Sequence, residues 1–211
     1  MYTVKEIYFT LQGEGAQAGR PAVFCRFAGC NLWSGLEKDR ASAICQFCDT
    51  QFVGSDGPGG GKFENADTLA KACMAQWEKA EARARPLVIL TGGEPMLQVD
   101  DALIAGLHGQ GFEIAIETNG TLPVPRSIDW ICVSPKAGAD LVQKSGDELK
   151  LVYPQEGLDM GALESLDFTN FFLQPMDCPD RAASNQAVLE YSIEHPKWRI
   201  SLQTHKLIGI P

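Results

Sequence analysis

Leu87-Val88-Ile89-Leu90-Thr91-Gly92-Gly93-Glu94-Pro95 passes from four large apolar residues straight into a glycine-rich polar turn. An unbroken apolar run suits a strand buried on both faces, as in a parallel sheet, and the glycines behind it let backbone approach a ligand. Working outward, short apolar or alternating runs recur at Val4–Phe9, Ala22–Phe27, Glu113–Ile116, Trp130–Val133, Glu148–Tyr153, Phe171–Gln174 and Arg199–Gln203. Helix-like segments lie between several of them, at Ala66–Ala84, Asp100–Gly109, Leu158–Leu166 and Arg181–His195. Asp67 and Asp100 stand near helix starts, and Gly109 or Gly111 near an end. Strands alternating with helices predict an α/β fold with a largely parallel sheet. No repeat or second unit divides residues 1–211, so a single domain is expected. Gly54–Gly61 is too rich in glycine for a helix or strand and reads as a flexible surface loop.

In parallel α/β folds functional groups gather beyond the carboxyl ends of the strands. The unusual segments of this chain fall there: Gly29-Cys30-Asn31, Thr91–Pro95, Glu117-Thr118-Asn119-Gly120, Ser134-Pro135-Lys136 and Gln174-Pro175-Met176-Asp177 each follow an expected strand. Five polar or glycine-rich turns on one rim describe an open site.

The composition narrows what that site meets. Lys plus Arg total 18 against 27 Asp plus Glu, a net charge of −9 that opposes a nucleic-acid partner and favours a small-molecule substrate. No stretch approaches the roughly 18 apolar residues of a membrane span. The sequence Met1-Tyr2-Thr3-Val4-Lys5-Glu6 lacks the layout of a signal peptide, so a cytoplasmic protein is expected. The seven cysteines are then metal ligands, nucleophiles or small buried hydrophobes rather than disulfides.

Cys45-Gln46-Phe47-Cys48 is a CxxC, whose spacing lets two thiolates converge from one tight turn, and fourteen residues separate it from Cys30. Three chemistries fit. A [4Fe–4S] cluster held by three cysteines leaves one iron open to a further ligand. Zinc needs a fourth ligand, for which His108, His195 and His205 are the candidates, none at finger spacing. A redox pair at Cys45 and Cys48 would normally open a helix after a strand, whereas this CxxC follows a long polar loop. Cys25, within Val23–Phe27, has the pattern of a core thiol, as do Cys73 and Cys132; Cys178, in a loop, is assigned no role.

Three cysteines ending in CxxC, a Gly-Gly-Glu-Pro turn after one strand and Glu-Thr-Asn-Gly after the next together resemble the radical S-adenosylmethionine superfamily. The fourteen-residue gap departs from that superfamily's usual CxxxCxxC. The departure, with Thr10-Leu11-Gln12-Gly13-Glu14-Gly15 and Arg26-Phe27-Ala28-Gly29-Cys30-Asn31-Leu32, is similar to the 7-carboxy-7-deazaguanine synthase family, and the likeness runs on to Gln203-Thr204-His205-Lys206. It implies a truncated parallel (β/α) barrel with an inserted cluster-binding loop. It also implies ring contraction of 6-carboxy-5,6,7,8-tetrahydropterin to 7-carboxy-7-deazaguanine, on the route to queuosine, with S-adenosylmethionine, a [4Fe–4S] cluster and Mg2+ as cofactors. A homodimer and a flavodoxin- or ferredoxin-like reductant belong to the same expectation.

The resemblance also distributes roles. Cys30, Cys45 and Cys48 hold the cluster and Thr50 the magnesium. Phe47, Cys48, Asp49, Gly93, Glu94, Ser134, Pro135, Lys136, Gln174, Pro175, Met176 and Asp177 surround S-adenosylmethionine. Leu11, Gln12, Gly13, Glu14, Arg26, Thr91, His205 and Pro211 surround the pterin. Arg26 meets the substrate carboxylate, for which a surface ion pair is the alternative, and His205 offers a hydrogen bond or a proton. The chain end at Pro211 is expected to fold back onto the substrate.

Overall fold

The computed structural model describes residues 1–211, and two kinds of strand pairing meet in its one nine-stranded sheet. β1 (Tyr2–Leu11) pairs antiparallel with β2 (Pro21–Phe27) and, on its other side, with the short β3 (Gly61–Phe63). From β2 onward each pairing is parallel, through β4 (Leu87–Gly92), β5 (Glu113–Thr118), β6 (Trp130–Val133), β7 (Ser145–Tyr153), β8 (Asp167–Pro175) and β9 (Trp198–Ile200). The order is linear, so β3 and β9 stay as edges and the sheet forms a truncated barrel.

Helices cover the outer face. α1 (Ala66–Lys79), α2 (Asp101–Gly109), α3 (Met160–Glu164) and α4 (Arg181–Glu194) each start at an Asn or Asp whose side chain accepts a first-turn N–H: Asn65, Asp100, Asp159 and Asp180. Each such cap contributes about 1 kcal/mol. Val88, Leu90, Ile114 and Ile116 pack outward against Leu69, Cys73 and Leu103 of α1 and α2. Leu149, Leu151 and Leu173 do the same beside Leu163 and Val188 of α3 and α4. Alternation along β4 and β5 turns Leu87, Ile89 and Ala115 inward, where they close the floor of the barrel with Ala22. A fifth helix, α5 (Thr204–Ile208), follows β9.

Several boundaries differ from the sequence reading: β1, β7 and β8 run longer than expected, and β3 is an additional strand. α1 ends at Lys79 instead of Ala84, because Glu81 takes a positive φ of 51° that no right-handed helix admits. α3 is the shorter Met160–Glu164, and β9 is Trp198–Ile200 with the next residues turning into α5. Gly54–Gly61 is not a free loop. Gly57 N–H donates to Lys5 O at 3.0 Å and Ile7 N–H to Pro58 O at 2.7 Å, laying the segment along β1. A Cβ at Gly57 or Gly59 would stand 2.7 Å from the Lys5 or Ile7 carbonyl oxygen, so the glycines serve close backbone approach. Cys25, Cys73 and Cys132 are buried as expected.

Candidate active site

The carboxyl ends of the strands open onto two confluent cavities of about 190 and 330 Å³. Cys30, Cys45 and Cys48 face the smaller one. Cys30 arrives on the turn after β2, and the chain returns to it because Ile44 N–H and Cys45 N–H both donate to Leu32 O, at 3.1 and 3.3 Å. Those two bonds close the base of the fourteen-residue gap, which holds a short 3-10 helix at Glu37–Ser42. Arg40 ties it to the CxxC: Nη1 donates to Gln46 O and Cys48 O at 2.9 and 3.1 Å, with the guanidinium 4.1 Å from the Trp33 ring centre. The hydrogen bond between the Cys45 and Cys48 thiols brings Cys48 down to about 6 and pushes Cys45 up, and burial raises Cys30.

No histidine joins these thiols. His108 pairs with Asp129 at 2.9 Å, His195 stacks on Tyr191 and His205 faces the larger cavity. No three His, Cys, Asp or Glu side chains converge closely enough for a single ion. A zinc site therefore lacks its donor set, while three thiols spread along one cavity wall suit a body containing several metal atoms.

The rim motifs hold the cavity in shape. A side chain at Gly93 would collide with the Gly29 carbonyl oxygen, since the turn after β4 lies directly on the turn that carries Cys30. Glu94 does not line the cavity. It is fully buried, and its carboxylate accepts from Met96 N–H (2.9 Å), Thr118 Oγ1 (2.7 Å) and Asn119 N–H (2.8 Å), pinning the β4 turn to the β5 turn. Phe47, Asp49, Gly93, Ser134, Lys136, Gln174, Pro175 and Asp177 face the cavity; Pro135 and Met176 do not. Lys136 Nζ donates to Ser134 Oγ at 2.7 Å, and burial lowers its pKa. Lys206 of α5 bridges Asp49 and Asp177, joining the CxxC segment to the end of β8.

The consecutive Leu11, Gln12, Gly13 and Glu14, together with the distant Arg26, Thr91, His205 and Pro211, all face the larger cavity. Register explains part of this, since Arg26 and Thr91 are neighbours across β2 and β4. Arg26 does pair on the surface of β1, with Nε donating to Glu6 at 2.7 Å and Nη2 to Tyr8 Oη at 3.0 Å, yet it remains in the cavity wall. Thr204 Oγ1 donates to Gly13 O at 2.7 Å and Thr10 Oγ1 to Pro211 O at 3.0 Å, which fixes α5 and the residues after it against β1. Burial lowers the pKa of His205.

No protein-family model matches the chain. A Caulobacter vibrioides protein named 7-carboxy-7-deazaguanine synthase is 60% identical over 210 residues, spanning 100% of this chain and 99% of its own length. A Bordetella pertussis protein of the same name is 61% identical over the same shares, and one from Synechocystis is 30% identical over 219 residues. The chain belongs to the 7-carboxy-7-deazaguanine synthase family. The crystal structure of QueE from Escherichia coli superposes with a TM-score of 0.69 at 27% identity, covering 97% of this chain and 94% of that one. The likeness to 7-carboxy-7-deazaguanine synthases thus runs over the whole chain, and so over the segments that build the two cavities.

In this 7-carboxy-7-deazaguanine synthase site, Glu117 and Gln203 stand in motifs that the sequence reading quotes without giving either a role, and Lys150 escapes it altogether. Glu14, Asp49, Thr50, Thr91, Glu117 and Gln203 face both cavities and form the seam between them. Glu14 accepts from Lys150 Nζ (2.8 Å), Gln203 Nε2 (3.0 Å) and Gln174 Nε2 (3.2 Å), and Glu117 accepts from Lys150 Nζ (2.8 Å) and Gln12 Nε2 (3.1 Å). The available signal was Glu148-Leu149-Lys150-Leu151, where charges alternate with leucines inside a parallel strand.

Proposed function

We propose that this chain performs its family's reaction, the radical-mediated ring contraction of 6-carboxy-5,6,7,8-tetrahydropterin to 7-carboxy-7-deazaguanine with release of ammonia, in queuosine and 7-deazapurine biosynthesis. The observation that carries the reading is the confluence of a cavity walled by three free thiols with one walled by polar groups from six separate parts of the chain.

Cys30, Cys45 and Cys48 hold a [4Fe–4S] cluster, and the glycine turn at Gly93, with Ser134, Lys136, Gln174 and Asp177, seats S-adenosylmethionine beside it. When bound, these two supply a one-electron route to hydrogen abstraction at C6 of the pterin. The protein's own part is to bind, orient and keep water out. Phe47 and Phe52 cover the thiol side of the cavity. Arg26 presents a guanidinium, already aligned by Glu6 and Tyr8, to the substrate carboxylate. Glu14 and Gln12 meet the donor-rich pyrimidine edge, and Thr91, His205 and Pro211 close the remaining wall.

Thr50 at the seam would hold Mg2+ through its hydroxyl, and the ion would supply a positive charge to orient the substrate carboxylate. A flavodoxin- or ferredoxin-like reductant, a homodimer and a cytoplasmic setting complete the reading. No helix is long and apolar enough to cross a membrane.

Anaerobic turnover of cluster-loaded protein with 6-carboxytetrahydropterin, S-adenosylmethionine, Mg2+ and a reductant tests the proposal. The expected result is 7-carboxy-7-deazaguanine and ammonia in equal amounts. Product-free mixtures that still cleave S-adenosylmethionine would defeat the substrate assignment and leave the cofactor assignment standing.

A further inference from the structure

Lys150 is the one cation among the buried polar side chains, 4% exposed in the middle of β7 between Leu149 and Leu151. Its Nζ lies 2.8 Å from Glu14 Oε2 and 2.8 Å from Glu117 Oε2, so these two carboxylates stand within twice that distance of each other. Left alone in a site shielded from water, such a pair shares a proton, because two like charges at that range disfavour double ionisation. An ammonium between them removes the conflict.

Each carboxylate is also held against rotation. Gln174 and Gln203 occupy Glu14 Oε1, and Gln12 occupies Glu117 Oε1. A carboxylate offers about four lone-pair sites, so acceptor capacity remains on both, and both side chains face the larger cavity. The surrounding charges do not replace Lys150. Glu148 and Cys132 lie beneath it, both raised by burial, and Glu148 is occupied by Ala16 N–H and Cys132 Sγ. His205 stands near Glu14, Lys136, which lines the thiol cavity as Lys150 does, is engaged with Ser134, and Lys206 is engaged with Asp49 and Asp177.

We infer that Lys150 is a positioning residue that keeps Glu14 and Glu117 as a fixed, doubly ionised acceptor pair, and thereby sets selectivity for a ring bearing a 2-amino group over one bearing a 2-oxo group. The inference rests on the pterin reading above. A 2-amino pyrimidinone edge presents adjacent N–H donors that two anionic acceptors can share. A 2-oxo ring turns an oxygen toward one of them.

The test is anaerobic calorimetry on cluster-loaded holoenzyme with 6-carboxytetrahydropterin, its 2-oxo analogue 6-carboxytetrahydrolumazine, and S-adenosylmethionine, between pH 6.5 and 8.5. The unmodified protein prefers the 2-amino ring by about tenfold or more, with an affinity that is flat in pH. In K150M that preference falls to about threefold or less and pterin affinity gains a pH transition, as Glu14 and Glu117 come to share a proton, while S-adenosylmethionine affinity stays within about threefold. K150Q, which keeps a donor without the charge, is measured alongside, and the same two changes are expected in whichever variant folds. Unchanged preference and a flat pH response would overturn the inference, as would an equal loss for all three ligands, the mark of a merely structural lysine. Unmodified holoenzyme that binds neither ring would instead overturn the pterin reading itself.

Discussion

The wall of the thiol cavity and the wall of its neighbour are built by different means. From Gly29 to Phe52 the first has no strand, and it depends on one short 3-10 helix, two hydrogen bonds to Leu32 O and the Arg40 clamp. The second is made from the ends of β1, β2 and β4, locked by ladder register and by the buried Lys150 pair. Segments with few ladder bonds open at low cost, whereas a strand-end wall opens only with the sheet. The contrast teaches a division of labour: the thiol wall is the one that opens more cheaply, and its neighbour is held by the sheet itself.

The largest expected effect breaks the first wall alone. C30A, C45A or C48A lowers anaerobically reconstituted iron from about four per chain to near zero and abolishes turnover. The thermal unfolding midpoint of the metal-free protein changes little, because none of the three thiols belongs to a strand or helix. A collapsed midpoint in the metal-free variants would show that both walls are equally preformed.

A smaller effect comes from the rim. G93A drives a methyl group into the Gly29 carbonyl oxygen and separates the turn after β4 from the turn carrying Cys30. An overpacked contact of this kind costs about 1–3 kcal/mol, so S-adenosylmethionine affinity falls by about tenfold or more while pterin affinity holds within about threefold. Equal losses, read by calorimetry, would mean that the two cavities are not separately supported.

The smallest effect lies at the opposite end of the sheet, where Arg20 grips Glu113 through two hydrogen bonds of 2.9 and 3.0 Å at the start of β5. The Arg20 side chain, opposed by partial burial, holds the Glu113 carboxyl below its ordinary range. The pair therefore stabilises the fold above the ordinary Glu value of about 4.3, and that contribution is lost as pH falls through the lowered folded value. R20M costs about 1 kcal/mol or less at pH 7, flattens this acid limb in denaturant unfolding and leaves kcat and KM unchanged.

Much of this site was legible because turns advertise themselves. Gly92-Gly93, Asn119-Gly120 and Cys45–Cys48 are short, local and chemically odd, and each lies where the chain leaves a strand or approaches the thiols. The direction of the Glu94 side chain was not legible there: proximity in sequence to Gly93 says nothing about the side of the backbone on which its carboxylate finds donors. Glu117, Lys150 and Gln203 were hidden because their meaning is pairwise. Lys150 gains its role only when β7 is threaded between β6 and β8 and brought opposite a residue 136 positions earlier. The Gly54–Gly61 stretch misled in another way, since composition signals backbone freedom but not the partner that uses it.

That glycine segment bears on how the protein behaves in a crowded solution. A nine-stranded sheet that does not close has two borders on which a foreign strand can grow, the first step toward fibrils or exchanged dimers. Along β1, β3 covers Tyr2–Val4, and the glycines carry the cover on past Lys5 to Ile7. At the far border β9 is only three residues long, with Arg199 at its centre. Side chains at Gly57, Gly59 or Gly60 would lift that cover and leave the cavity rim untouched, so such variants are expected to fail first by self-association at high concentration.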